Sequence, residues 1–344
     1  MSILSGISEF FGLDIGTTSV RLVQLKGKGP VKTLAKYAYV PIENSPQADS
    51  QSNIIVTNAI KNLIQKTGIT TKNVAVGIPS QKVFTSVVEI DKLTPEDMVK
   101  SIKFQLASFI PTPIEESKID WSIIGTSPTN PAKAELLISS VLNSVTEERL
   151  SMLSSIGLKV IAMEPDNLAL TRSLLDPKNP LPQMVFDLGN FNSDLVISVN
   201  GAATLTRSIN FGTEAFIRAA TQDLNIKREQ AQEVVFKFGL DKAKVQGQVY
   251  RSLINPVNLL LSEIDKSIKF FANKYPNSKL DKIIVTGGAA ILPDFPLLLA
   301  NHSGINVEIG NVWRNVSYDL KRQDELLSVS NYFGIAVGLA ERLE

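Results

Sequence analysis

The sequence has no cysteine and a single histidine, His302, among 344 residues. The first absence excludes disulfides, thiolate metal sites and a cysteine nucleophile. The second excludes any site that needs two imidazoles and leaves a Ser-His-Asp triad only His302 to use. An excess of one charge is also missing. The 35 basic and 34 acidic side chains leave a net charge of +1, which offers no bulk attraction for nucleic acid. No apolar run approaches the roughly 18 residues of a spanning helix. The start Met1-Ser2-Ile3-Leu4-Ser5 lacks the basic and apolar regions of a signal peptide. The expectation is a cytosolic protein whose chemistry rests on carboxylates, hydroxyls, backbone amides, Lys and Arg. Its length predicts about two domains, and 44% apolar with 20% charged residues is a soluble globular composition.

What is present is one device used twice. Phe11-Gly12-Leu13-Asp14-Ile15-Gly16-Thr17-Thr18-Ser19-Val20-Arg21 and Val185-Phe186-Asp187-Leu188-Gly189-Asn190-Phe191-Asn192-Ser193-Asp194 each run apolar, then Asp-x-Gly, then small polar. Each passes through a turn, Gly27-Lys28-Gly29-Pro30 or Asn200-Gly201, into a third strand-like segment, 32–40 or 203–209. This predicts a hairpin plus a strand opening each domain. A glycine in such a turn admits an anion to the backbone amides, Thr and Ser add hydroxyls, and a carboxylate at a strand end can hold Mg²⁺ through water. A single copy reads better as an ordinary Asx turn; the repetition favours a phosphate clamp. Neither a P-loop nor a G-x-G-x-x-G after a strand occurs.

The remaining pattern alternates between strand and helix. Helices are predicted over 53–67, from Thr94 (N-cap, with Pro95 and Asp97) to near Pro111, over 144–155 with Ser144 and Glu147 as a capping box, and over 166–174. Further helices are predicted over 213–224, 227–238, 246–274, 294–301 and 331–343. Leu175–Pro182 contains three prolines and reads as a linker. Thr286-Gly287-Gly288-Ala289 follows an apolar strand and suits the backbone passing under a flat ligand, or a plain strand-to-helix turn. His302 reads as a surface or capping residue, Trp121 and Trp313 as packing, and Phe236, Phe238, Phe270 and Phe271 as core. Phe10 and Phe11 fall on the first buried strand. Ile3, Leu4 and Ile7 read as a frayed end or a short amphipathic contact.

Asp-x-Gly twice, with a strand-Gly-Gly segment near the end, resembles the actin/Hsp70 ATPase superfamily. That resemblance implies an α/β actin-like ATPase fold: two RNase H-like domains with ATP and Mg²⁺ between them. Asp14, Gly16, Thr17 and Thr18 then fall on the first phosphate loop, and Asp187, Gly189, Asn190 and Ser193 on the second. Gly287, Gly288 and Ala289 fall on the adenosine loop, and Asp14 and Asp187 would hold Mg²⁺ through water. Arg21 stands where many members carry a phosphate-contacting Lys, and Glu164 of Met163-Glu164-Pro165 where several bacterial members orient the attacking water. Relatives often read Ala-Glu-x-x-Lys near the adenosine; the matching positions here are Ala231, Gln232 and Val235.

Phe11–Val23, Phe109-Ile110-Pro111, Ile226–Leu240, Glu164-Pro165, Gly287–Pro293 and Gly338-Leu339-Ala340 are similar, in order, to the PilM family of type IV pilus assembly. The cell-division family FtsA is the nearest competitor. It usually ends in a linker and membrane-binding helix, whereas this sequence stops at Glu344. The resemblance implies domain I (1A) over 1–82 and 160–180, an inserted 1C subdomain over 83–159, and domain II (2A/2B) over 181–344. It implies an ATP-binding cytoplasmic adaptor with at most weak ATPase activity. Such an adaptor would be peripheral at the inner membrane by binding the cytoplasmic N-terminal segment of PilN, a bitopic protein, near 1C. Other pilus components and self-association complete the implied partners. An FtsA-like polymerising protein and a sugar-kinase-like phosphotransferase are the alternatives, the latter lacking a clear general-base Asp.

Overall fold

The computed structural model describes residues 9–342 apart from 28, 30, 43–49, 93–105, 107 and 177, and only the backbone at 50–52. Contacts divide the chain into two units. One is Met1–Ser173, Trp313–Gln323 and Phe333–Glu344; the other is Leu174–Val312 and Asp324–Tyr332.

The first unit opens with a hairpin of β1 (Phe11–Ile15) and β2 (Ser19–Lys26), and β3 (Lys32–Pro41) pairs antiparallel with β2. Helix α1 (Ser50–Thr67) leads to β4 (Asn73–Ile78), parallel to β1. Strands β5 (Val83–Asp91), β6 (Ser117–Thr126) and β7 (Lys133–Leu142) make a separate antiparallel sheet in the order β5-β7-β6. The chain returns through α2 (Asn143–Ser155) to β8 (Lys159–Pro165), parallel to β4, and α3 (Asp166–Leu174). Strands β1 and β4 are buried on both faces, as central parallel strands must be. Val56, Ile60 and Leu63 of α1, at helical spacing, join Phe11, Leu13 and Leu153 in one core.

The second unit repeats the plan. Strands β9 (Gln183–Leu188), β10 (Ser193–Val199) and β11 (Ala202–Ile209) are antiparallel neighbours, with Asn200 (φ 52°) and Gly201 (φ 77°) turning β10 into β11. Helices α4 (Thr213–Leu224), α5 (Arg228–Phe238) and α6 (Gln248–Lys274) follow. Then come β12 (Lys282–Gly287), a helical turn Gly288–Ile291, α7 (Phe295–Ser303) and β13 (Asn306–Ile309). The sheet order β11-β10-β9-β12-β13 matches β3-β2-β1-β4-β8 of the first unit strand for strand.

The chain then adds the short β14 (Val316–Ser317) beside β3 and ends in α8 (Gln323–Glu341). The second half of α8 seats on the first unit's sheet, backbone on backbone. A side chain at Gly12 would overlap Ala336 and Ala340 of α8, and one at Gly338 would overlap Ala169 of α3. Tyr37, Trp313 and Phe333 close the β3 side, with Trp313 only 1% exposed, as a packing residue should be.

Several sequence expectations change. Residues 313–323 and 333–344, expected within domain II, group by contacts with the first unit, and the apolar face of the second half of α8 packs on the β1–β4 side. Helix α8 begins at Gln323, before the predicted 331, because Asp319 accepts from the Lys321 amide (3.0 Å) and starts a 3-10 turn that runs into it. No capping box forms at Ser144. Extended Leu142 passes β7 directly into α2, which places Ser144 inside the first turn. Phe270 is 56% exposed, and its neighbour Phe271 takes the core position. The predicted cap at Thr94, Pro95 and Asp97 and the N-terminal Ile3, Leu4 and Ile7 lie outside the described residues.

The α8 contact gives a test. Gly338→Ala should lower the unfolding free energy by about 1–3 kcal/mol, since a methyl there forces backbone apart. Urea denaturation with an unchanged slope checks it.

Candidate phosphate-binding turns

In the first unit the turn Gly16–Thr18 joins β1 to β2, closed by the Gly16 amide donating to the Ser19 carbonyl at 3.0 Å. Thr17 and Thr18 are exposed, while Asp14 is 2% exposed. The register places Asp14 opposite Arg21, and the Arg21 guanidinium donates Nη1 to Asp14 Oδ2 at 2.7 Å. Arg21 Nε is buried with no hydrogen-bond partner among the described residues. A side chain at Gly16 would press on the same guanidinium.

The C-terminal ends of β4 and β8 add to this edge. Asp166 begins α3, and its carboxylate lies so close to Gly77 that any side chain there would overlap it. Arg149 of α2 is half-buried. Burial pushes its guanidinium below the usual arginine range, opposed by the charges of Asp166, Glu148 and Asp14.

In the second unit the turn after β9 is held differently. The Thr213 and Glu214 amides at the start of α4 donate to the carbonyls of Gly189 (3.0 Å) and Asn190 (2.9 Å), and Thr213 Oγ1 donates to Asn190 Oδ1 at 3.2 Å. Asp187 sits opposite Asp194 on β10 and Thr286 on β12. Ser208 of β11, opposite Asp194, donates its hydroxyl to that carboxylate. One row across four strands thus reads Thr286, Asp187, Asp194, Ser208. Thr286 is 1% exposed, and its Oγ1 has no partner among the described residues. Gly287 has φ 61° and ψ −138°, a conformation open to glycine alone, and a side chain there would overlap the Asp187 carboxylate.

Four expected site residues have contacts of their own. Ser193 is buried, and its hydroxyl donates to the Phe211 carbonyl at 2.6 Å, which holds the chain beyond β11. Ala289 is fully buried in the second unit's core. Glu164, 6% exposed, is bound by Arg172 through both oxygens and by Arg342 at 3.1 Å. It ties the end of α8 to α3. Arg21, too, has a contact of its own, with Asp14 at 2.7 Å. Sequence reasoning missed Asp194 and Thr286. The signal for Asp194 was its spacing, seven residues after Asp187 as Arg21 is after Asp14. His302 behaves as expected of a surface residue, pairing with Asp265 at 2.8 Å.

Beside the Glu164 cluster, both carboxylate oxygens of Glu341 are buried with no hydrogen-bond partner among the described residues. Burial pushes its pKa from 4.5 to about 8, against the pull of Arg172, Lys32 and Arg314. The folded protein therefore holds a proton that the unfolded chain releases, so stability falls as pH rises from 4.5 to about 8 and levels above it. Glu341→Gln should flatten that slope, read as Tm measured between about pH 5 and about pH 9.

Two sheets of one strand order, each with an Asp-bearing hairpin at the ends of its parallel strands, define the actin-like ATPase class of fold. MreB5 of Spiroplasma citri bound to ADP has this fold (TM-score 0.57, 12% identity, 96% of this chain and 95% of that one). So does the ethanolamine utilization protein EutJ of Carboxydothermus hydrogenoformans (TM-score 0.57, 14% identity, 96% and 88%). A structure of a PilM-PilN type IV pilus biogenesis complex matches at TM-score 0.82, with 21% identity over 96% of this chain and 97% of that one. The sequence profile of the type IV pilus assembly protein PilM family matches residues 12–343, and the chain belongs to that family.

Proposed function

We propose that this protein is an ATP-binding adaptor of type IV pilus assembly. In this reading it is held at the inner face of the cytoplasmic membrane by a PilN-like bitopic protein whose cytoplasmic N-terminal segment it binds. Membership of the PilM family and likeness to a chain of a PilM-PilN complex support the pilus reading. Among the described residues no helix is long and apolar enough to cross a membrane, which is consistent with attachment through a protein.

The observation that carries nucleotide binding is the pair of buried polar atoms without partners, Arg21 Nε and Thr286 Oγ1, one beside each Asp-bearing turn. Buried polar groups are almost always satisfied, so these two mark places where a polar ligand or its water belongs. The first turn offers exposed Thr17 and Thr18, the Gly16 backbone and the Arg21 cation to phosphate. In the second turn two facing carboxylates, Asp187 and Asp194, suit a hard divalent cation. Mg²⁺ would sit there and would neutralise phosphate charge. Gly287 and Gly288 would let adenosine approach the backbone. Since Glu164 is held by two arginines, the nucleotide serves as a signal of state, with at most weak turnover.

A groove of about 480 Å³ lies between α1 and α2, lined by Asn53, Thr57 and Lys61 on one side and Glu148, Ser151 and Met152 on the other. Helix α2 leaves the three-stranded sheet directly, so the groove adjoins the inserted region where the partner segment is expected. It is the seat proposed for that segment.

Titration with labelled Mg-ATP tests the site. Asp187→Ala should weaken binding at least about tenfold, the loss expected of one charge-assisted ligand, with Tm unchanged. Equal affinity in the variant would remove Asp187 from the site. A labelled peptide copying the N-terminal segment of the neighbouring membrane protein should bind the wild-type chain; failure with and without Mg-ATP would remove the adaptor reading.

A further inference from the structure

The third strands of the two matching sheets end differently. In the first unit β3 is joined at its start by the parallel β14. In the second unit β11 runs eight residues, Ala202–Ile209, outermost in its sheet, and no strand pairs its outer edge among the described residues. Edges are normally blunted by shortness, charge or proline. The opposite edge of the same sheet is: β13 has four residues and carries an ion pair, Lys282 Nζ to Glu308 at 2.8 Å. Strand β11 has no proline and one charge, Arg207. That guanidinium is drawn onto α6, where it pairs with the Glu263 carboxylate and donates to the Glu263 carbonyl and to Ser267 Oγ, each at 3.2 Å.

Helix α6 borders this edge. A groove of about 390 Å³ runs between them, lined by Arg207, Ser208 and Phe211 on one side and Leu259, Glu263 and Lys266 on the other. Leu259 is 66% exposed, and Phe270, further along the helix, is 56% exposed. Leu259, Ser262, Lys266 and Phe270 stand at i, i+3, i+7 and i+11, which makes one stripe of the helix surface.

The order of residues along the stripe says what covers it. A contact across a two-fold axis sets residue i of one copy against j of the other, and j against i. Laid antiparallel on a second copy about the point between Ile264 and Asp265, the stripe sets Leu259 against Phe270 and Glu263 against Lys266. Apolar meets apolar and carboxylate meets ammonium. A parallel arrangement would set Glu263 on Glu263 and Lys266 on Lys266. Within one chain Lys266 pairs with Glu263 at 2.5 Å, an exposed ion pair one turn apart that costs little to exchange. Arg207 bonds to Glu263 and Ser267, on either side of the same point. The axis that pairs the helices therefore also runs beside β11 and brings the two outer edges together antiparallel.

We propose that this face is a self-association surface: two copies of the chain pair about a two-fold axis through antiparallel α6 helices, with their β11 edges side by side. The α6 stripe uses no residue of either Asp-bearing turn, so the proposal stands apart from the nucleotide reading.

Sedimentation equilibrium of the full chain should show monomer and dimer and no larger species. Leu259→Glu should weaken the dimer about tenfold or more, the loss expected when one buried apolar contact is replaced by a charge. Phe270→Glu should do the same, and both should keep the wild-type circular dichroism because each side chain is exposed in the single chain. The absence of cysteine makes the register readable. Leu259→Cys combined with Phe270→Cys should give a disulfide-linked dimer under mild oxidation, whereas either substitution alone should not, because each position faces the other and not itself. A chain that stays monomeric at the highest concentration it tolerates would overturn the proposal. So would a dimer left intact by both glutamate variants, which would place the contact elsewhere. Crosslinking of either single variant as fast as the pair would overturn the antiparallel arrangement.

Discussion

The structure turns on a register constraint. In each hairpin the Asp at position i faces position i+7 across an antiparallel pair, so the residue at i+7 sets the electrostatic state of the Asp. In the first unit that residue is Arg21, and the buried Asp14 is neutralised at 2.7 Å. In the second it is Asp194, and two carboxylates stand opposite each other. One backbone device is thereby given two chemical characters. The first turn holds a cation beside hydroxyls and suits an anion, whereas the second concentrates negative charge and suits a metal ion. Turns of this kind need neither thiol nor imidazole, which fits a chain with no cysteine and one histidine.

A second constraint is close backbone approach. Gly12, Gly77, Gly287 and Gly338 all stand where a side chain would overlap a neighbour. At Gly12 and Gly338 the neighbour is a helix, and the result is a C-terminal helix pressed onto the first unit's sheet. At Gly77 and Gly287 the neighbour is a carboxylate, that of Asp166 or Asp187, held at the end of a parallel strand. The ends of parallel strands are where α/β sheets bind ligands. Here the glycines allow acidic groups to reach those ends without displacing the strands.

The two Asp-x-Gly turns, the third strands and most helices could be read from the sequence because each depends on local signals: periodicity, glycine at turns, and apolar runs. The family was legible for the same reason, since its motifs are short and ordered. Elements set by distant contacts were not. The start of α8 was hidden by its polar first turn, and the two-residue β14 carries no pattern of its own. The direction of a side chain was also not legible. Nothing local distinguishes Glu164 beside a catalytic water from Glu164 held by Arg172 and Arg342, residues that arrive from eight and 178 positions away. Ser193 presented a hydroxyl in the right motif, but burial against Phe211 turned it inward.

The sequence by itself determined the duplicated strand order, the positions of the two turns and the kind of chemistry open to them, because composition and short-range spacing are local properties. Tertiary structure alone decided which polar groups are already satisfied and which still await a partner. That depends on burial and on contacts between residues far apart in the chain, as when Arg21 takes Asp14 while Thr286 Oγ1 is left alone in the second unit's core. A polar group is costly when dry and unpaired and nearly neutral when wet, and only the folded chain says which of the two it is.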